Sequence, residues 1–189
     1  NGMKKYLNLC EAIIEEHRRV FRKLDLTELS QFLNELIKAN SVFIAGIGRE
    51  GISMRSFAMR LAHLGKKVYW VWDDTTVALL PGDLFIVADG SANILSLEHM
   101  LQKGKKAGAK IVLITSDPKG PHKKYADYIL HIHATAYLSR NLECVPTIQI
   151  MGNQFEQHLY MLADIIIMLY MDEVGVTPSD LEKRHRNIE

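Results

Sequence analysis

The sequence has few cysteines, almost no net charge and no long apolar run, and each shortage argues against a class of protein. Cys10 and Cys144 are its two cysteines and form no CxxC motif, so we expect neither a disulfide framework nor a zinc site. Lysine plus arginine number 23 and aspartate plus glutamate 22, and a net charge of +1 gives no strong field for nucleic acid or an anionic membrane. No apolar run reaches the roughly 18 residues that a membrane span needs. We therefore expect a cytoplasmic protein that binds neither nucleic acid nor membrane.

The length of 189 residues fits one domain with a sizeable core. Asn1-Gly2-Met3 looks like a cloning remnant before a native start at Met3. We divide the single domain, 4–189, into N-terminal helices (4–40), a sheet core (41–135) and a C-terminal helix with a polar tail (146–189). In the first part, apolar residues at three- and four-residue steps predict a helix over Lys4–Lys23. Asp25 is predicted to cap a second helix, with Glu28 as its capping-box partner.

From residue 41 onward, short apolar runs alternate with helical patterns. The strand-like runs are Val42–Ala45, Val68–Val71, Leu84–Ala88, Ile111–Thr115 and Tyr128–Ile132. The helical stretches between them are Gly51–Leu64, Asn93–Ala107 and Lys119–Tyr125, and a final helix covers Asn153–Val174. Continuous apolar strands alternating with helices are typical of a parallel sheet covered on both faces, so we predict an α/β fold.

Three turns that follow predicted strands are candidates for anion binding: GIGREG (46–51), DGSANILS (89–96) and TSDPKG (115–120). In an open parallel sheet, ligands bind beyond the carboxyl ends of the strands, and a helix start offers backbone N–H groups and partial positive charge. We therefore expect a small phosphorylated ligand. The predicted ligand-binding residues are Gly48, Arg49, Glu50, Gly51, Asp89, Ser91, Asn93, Ser96 and Ser116. The glycine spacing also fits a dinucleotide fingerprint, but Asp73 and Asp74 match its ribose-binding acid only loosely.

Two carboxylates in these turns, Glu50 and Asp89, argue against a phosphate ligand. Two unit charges 4 Å apart interact by about 4 kcal/mol at an effective dielectric constant near 20, which offsets several hydrogen bonds. Three alternatives would relieve the repulsion. Glu50 points outward and pairs with Arg49 or Arg55, Arg49 itself enters the pocket, or the ligand is a neutral or cationic sugar such as an amino sugar.

The segments VFIAGIGREGISMRSFAMRLAHLG, GDLFIVADGS and AKIVLITSDP resemble the core of the sugar isomerase (SIS) domain family. The helix start GNQFEQ and the tail LEKRHRNIE are similar to the branch that interconverts 3-hexulose 6-phosphate and fructose 6-phosphate. The resemblance runs from about Tyr6 to Glu189. It implies a flavodoxin-like three-layer α/β/α sandwich with a five-stranded parallel sheet, and a homotetramer with active sites at subunit interfaces. It implies no metal and no cofactor. The family usually has serine where Glu50 and Asp89 stand, and threonine in place of Ile94 and Leu95.

Isomerisation through an enediolate needs a base within hydrogen-bond reach of the proton beside the carbonyl. The resemblance assigns this role to Glu156, and it implies that His63 assists ring opening and that His185 reaches the pocket of a neighbouring subunit. Each residue also has an ordinary explanation: a carboxylate favours a helix start, a histidine favours a helix end, and a terminal tail is often solvated. We therefore predict a phosphosugar isomerase. The alternative is a non-catalytic module that binds a sugar phosphate or an amino sugar.

The remaining histidines give weaker signals. His131 and His133 would share one face of a strand, but no third ligand is positioned by the sequence, so we predict no metal site. His158 would point away from Glu156 on a helix and is predicted to be structural. We expect His99 and His122 at the surface.

Overall fold

A computed structural model describes residues 2–188. The helices are α1 (Gly2–Lys23), α2 (Leu26–Lys38), α3 (Gly48–His63), α4 (Leu95–Lys106), α5 (Asn153–Val174) and α6 (Pro178–Lys183). The strands are β1 (Val42–Gly46), β2 (Val68–Trp70), β3 (Leu84–Ala88), β4 (Lys110–Thr115) and β5 (Tyr128–His131). A 3-10 helix covers Pro121–Tyr125, where the sequence predicted a short helix.

The five strands form one parallel sheet in the order β2-β1-β3-β4-β5. In its register, Val42 of β1 lies opposite Val68 of β2 on one side and Leu84 of β3 on the other. This confirms the predicted α/β fold with a five-stranded parallel sheet. The chain moves outward from β1 to β2 and then returns to β3 on the other side of β1. The strand order therefore reverses between β1 and β3, and such a point is where open α/β sheets bind ligands.

The sheet separates two apolar cores because successive side chains of a strand point to opposite faces. From β1, Val42 and Ile44 pack into the core shared with α2, α3 and α5, whereas Phe43 and Ala45 pack towards α4. Every residue of β1 and β3 is buried. This explains why these strands appear in the sequence as continuous apolar runs rather than as alternating patterns.

The start of α2 shows a cap that differs in part from the prediction. The Asp25 carboxylate accepts hydrogen bonds from the N–H groups of Thr27 and Glu28, so Asp25 caps the helix as predicted. The predicted capping box is wrong, because the Glu28 carboxylate accepts the N–H of His131 at 2.8 Å instead. Glu28 therefore anchors α2 to the carboxyl end of β5.

The polar tail contains a short helix that the sequence analysis missed. Thr177 and Asp180 form a reciprocal capping box at the start of α6, with Pro178 in the first turn. The predicted tail residue Glu189 lies outside the described residues. Across residues 2–188, no helix has the length and hydropathy that a bilayer crossing requires.

Candidate functional site

The crevice between β1 and β3 is formed by residues 46–51 and 89–96, and we call it the switch-point crevice. Gly48 begins α3 with a φ of +57°, a left-handed conformation that a glycine adopts without a side-chain clash. A Cβ on Gly51 would lie 2.5 Å from the carbonyl oxygen of Gly46, so a side chain at this position would push the helix away from the strand. The glycine pattern therefore brings the start of α3 directly against the end of β1.

Glu50 points into the protein and not outward. It is 8% exposed, and its Oε2 accepts the N–H of Gly90 at 3.1 Å, across the crevice. Of the three alternatives that the sequence left open, the outward pairing of Glu50 is therefore not the one that the structure has. Arg49 contacts the Glu156 carboxylate instead, and Arg55 lies 3.7 Å from Asp73.

Burial changes the charge that Glu50 carries. Loss of solvent is the largest influence and the carboxylates of Asp89 and Glu156 add to it, whereas the N–H of Gly90 opposes it. Together they raise the pKa of Glu50 from 4.5 to about 8. At neutral pH the Glu50 carboxyl is therefore mostly protonated, and it does not repel an anion as an ionised group would.

Asp89 is fully buried and lies directly against His122. Its Oδ2 lies 2.8 Å from Nδ1 of His122, and it accepts hydrogen bonds from the Ser91 hydroxyl and the Ile94 N–H. Burial would raise the pKa of Asp89, but His122, the Ile94 N–H and Ser91 outweigh it and lower the pKa. The prediction of His122 at the surface is wrong, since it is 1% exposed. The negative charge of Asp89 is thus directed towards His122 and away from the open crevice.

The hydroxyl groups predicted to bind ligand fall into two groups. Ser116 is buried and donates to the carbonyl oxygen of Gly90 at 2.9 Å, and Ser91 donates to Asp89. These two hydroxyls therefore hold the turn rather than face the solvent. Asn93 and Ser96 are exposed at the start of α4, where a ligand in the crevice would meet them.

Glu156 occupies the first turn of α5, beside the start of α3. Its side chain is 14% exposed and contacts the largely exposed Arg49. The hydroxyl of Ser53 donates to the Glu156 carbonyl oxygen at 2.9 Å and ties α3 to α5. Glu156, Arg49 and Ser53 line one end of a cavity of about 870 Å³ that continues between α1 and α5 past His17 and Tyr160. The carboxylate is thus held in place at the mouth of an open, mostly apolar cavity.

His63 and His185 lie together, but at the other end of α3. Their ring centroids are 5.2 Å apart, and with Arg60 and Glu182 they line a cavity of about 350 Å³. Burial lowers the pKa of His63, and Arg60 and His185 add to the effect. The fifteen residue steps from Gly48 to His63 correspond to about 22 Å along the helix. Within one chain, the structure therefore does not bring these histidines to Glu156.

The other histidines have structural contacts. His158 is fully buried, and its Nδ1 lies 3.2 Å from Nδ1 of His17. The rings of His131 and His133 are 3.8 Å apart. His99 is exposed, as predicted. Between residues 2 and 188, no group of three or more histidine, cysteine, aspartate or glutamate side chains is arranged to hold a metal ion.

The sequence did not indicate two partners in this site: His122 beside Asp89, and Gly90 as the donor to Glu50. No sequence pattern indicated a role for His122, because it lies in the 3-10 helix that follows β4 and contacts Asp89 only in the folded chain. Gly90 did carry a signal, as a glycine directly after a predicted strand. A Cβ there would lie 2.8 Å from Oε1 of Glu50.

Comparison with known proteins gives consistent matches. The model of the SIS domain family matches residues 35–156. A 3-hexulose-6-phosphate isomerase of Mycobacterium gastri is 32% identical over 188 residues, with 96% of this chain and 90% of that protein covered. A crystal structure from Methanococcus jannaschii, from which a 3-hexulose-6-phosphate isomerase function was inferred, superposes with a TM-score of 0.80 at 29% identity and covers 98% and 99% of the two chains. An uncharacterised HTH-type transcriptional regulator of Haemophilus influenzae is 26% identical over 128 residues, which are 65% of this chain and 44% of that protein.

Proposed function

The chain belongs to the SIS domain family, and we propose that it is a phosphosugar isomerase that interconverts 3-hexulose 6-phosphate and fructose 6-phosphate. The observation that carries the proposal is the placement of Glu156. A mostly buried carboxylate, paired with Arg49, lines a cavity beside the start of α3, which suits a phosphate.

In this reaction Glu156 acts as the base. Starting from fructose 6-phosphate, its carboxylate takes the proton from C3, and the electron pair forms a 2,3-enediolate. The hydroxyl proton of O3 passes to O2 as the carbonyl moves from C2 to C3. Glu156 then returns its proton to C2, so no electrons leave the sugar. Arg49, which contacts this carboxylate, stabilises the negative charge that develops on the enediolate oxygen.

The phosphate of the sugar would bind in the switch-point crevice. The N–H groups at the start of α3, from Gly48 to Glu50, would point at it, and the exposed Asn93 and Ser96 would contact it from the start of α4. The charge objection raised by the sequence is weaker than expected. Asp89 is paired with His122, and Glu50 is mostly neutral at pH 7.

His63 and His185 enter the proposal only through a second copy of the chain. Because they lie about 22 Å along α3 from the crevice, a neighbouring subunit must supply them if they assist ring opening. The homotetramer, its interface sites and the cytoplasmic location remain predictions.

The test is hydrogen exchange in deuterated water. The protein is incubated with fructose 6-phosphate, and the sugar is followed by NMR. Deuterium at C3 with formation of the 3-ketose is the expected result, and Glu156→Gln should slow it by about 100-fold or more. Glu173→Gln, the same change at an exposed position near the end of α5, should leave the rate unchanged. Exchange at C1 alone would replace the proposal with an aldose–ketose isomerase, and wild-type protein without any exchange would refute catalysis on this sugar.

The second candidate is a non-catalytic module that binds sugar phosphates. The similarity to a transcriptional regulator favours it, because part of that protein matches 65% of this chain. Saturable binding of fructose 6-phosphate without exchange at C1 or C3 would support this module. An amino-sugar ligand is less well supported, since the carboxylates of Asp89 and Glu156 already have partners in His122 and Arg49.

A further inference from the structure

The carboxyl of Glu50 lies at the joint between the two loops of the switch-point crevice. It reaches from the first turn of α3 to the N–H of Gly90, 3.1 Å away, in the turn that leads from β3 to α4. A Cβ on Gly90 would meet Oε1 of Glu50 at 2.8 Å, so the carboxyl lies close against this peptide. Both loops proposed to hold the phosphate are therefore in contact with one side chain.

Three carboxyl groups meet here, and two of them already have a partner. Asp89 pairs with His122, and Glu156 pairs with Arg49. Among residues 2–188, Glu50 forms no ion pair, and Asp89 and Glu156 are the charged groups that act on it. A proton is thus the available means of neutralising Glu50. With Glu50 ionised, a phosphate dianion would enter a crevice with a buried, uncompensated negative charge at its base.

We propose that Glu50 must carry a proton for the crevice to accept a phosphate dianion, so that binding of a phosphorylated sugar is coupled to uptake of one proton at this residue. The inference rests on the proposed function for the ligand class, a phosphorylated sugar. It adds that Glu50 selects ligands by their charge. Glu50 does so through its own protonation and takes no part in the proton transfers of catalysis.

The expected effect follows from the fraction of Glu50 that is protonated. With a pKa of about 8, that fraction falls from about nine-tenths at pH 7 to about one-tenth at pH 9. If only the protonated form binds, the dissociation constant rises about tenfold between these pH values. A sugar phosphate, with its second pKa near 6, is a dianion over most of this range. Proton uptake on binding should rise from near zero at pH 7 to nearly one at pH 9.

The experiment is isothermal titration of the full chain with fructose 6-phosphate at pH 7, 8 and 9, each in two buffers of different ionisation enthalpy to count protons. Inorganic sulfate is titrated in parallel as an anion without a sugar. We expect the tenfold loss of affinity for both ligands in the wild type and a pH-independent affinity in Glu50→Gln. Glu173→Gln should behave as the wild type.

Several results would overturn the inference. Affinity of the wild type that does not change from pH 7 to 9, or an equal pH dependence in Glu50→Gln, contradicts it. The proton count on the wild type needs no variant, so it decides the question even if Glu50→Gln fails to fold. Proton-coupled binding without hydrogen exchange would support the inference and refute the isomerase. Hydrogen exchange together with pH-independent binding would support the isomerase and refute the inference about Glu50. If neither ligand binds, both the isomerase and the inference are refuted.

Discussion

Glu50→Gln should change how the stability of the free protein depends on pH. In the wild type, the pKa of Glu50 rises from 4.5 in the unfolded chain to about 8 in the fold. The folded state therefore binds the proton more tightly than the unfolded state. The contribution of Glu50 to stability is fully present below pH 4.5. This contribution is lost progressively as the pH rises to about 8.

The size of this loss can be worked out from the two pKa values. Between pH 5.5 and 8.5, a shift of this size removes about 3 kcal/mol from the free energy of unfolding. For a chain of this length, that corresponds to a fall in melting temperature of about 6–12 °C. Glutamine keeps a side-chain oxygen for the N–H of Gly90 and carries no titratable group. The variant should therefore lack this part of the pH dependence and be more stable than the wild type at pH 8.5.

Urea unfolding at pH 5.5, 7 and 8.5, followed by circular dichroism, measures this difference directly. The quantity compared is the free energy of unfolding of the variant minus that of the wild type at each pH, because the contributions of all other titrating groups cancel in this difference. A difference that grows with pH by several kcal/mol supports the buried, protonated Glu50. Parallel stability curves for the two proteins would show that Glu50 is ionised in the fold, and the reasoning on the crevice would fail with it.

Two further substitutions test the packing and the charge pairing around the crevice. In Gly90→Ala, the new methyl group would lie 2.5 Å from the nearest side-chain carbon, so we expect a loss of about 1–3 kcal/mol in urea unfolding. Gly2→Ala, with no atom within 4 Å, should show no loss, and equal behaviour of the two would contradict the close packing. Asp89→Asn removes the buried carboxylate that contacts His122, Ser91 and the Ile94 N–H and should cost about 3 kcal/mol at pH 7, against about 1 kcal/mol for Ser91→Ala. Equal losses for these two would show that the charge of Asp89 adds nothing.

Much of the fold could be predicted because its signals are local. The run Leu84–Ala88 and the helix Asn153–Val174 were predicted with the bounds that the structure has. The starts of helices were predicted less accurately. Helix α3 begins three residues before the predicted Gly51, because Gly48, in a left-handed conformation, is already its first residue. The helix α6 was missed although Thr177 and Asp180 form a capping box that is visible in the sequence.

The candidate site was harder to predict, since its contacts join distant parts of the chain. The direction of Glu50 depends on Gly90, 40 residues later, and the charge of Asp89 is balanced by His122 in another element. By contrast, the separation of His63 from the start of α3 follows from the helical rise alone. The resemblance assigns His63 and Glu156 to one active site at a subunit interface, and this separation along α3 agrees with His63 coming from a different chain than Glu156.

Gly90 has both of its backbone polar groups occupied inside the protein. Its N–H is bound by Glu50, and its carbonyl oxygen accepts from the hydroxyls of Thr115 and Ser116 and from the Ser116 N–H. Because the peptides on both sides of Gly90 are anchored, we expect this turn to keep its shape when a sugar binds. Adapting the protein to a longer or bulkier sugar should then require changes among the residues of α1 and α5 that line the cavity of about 870 Å³, and not in the turn itself.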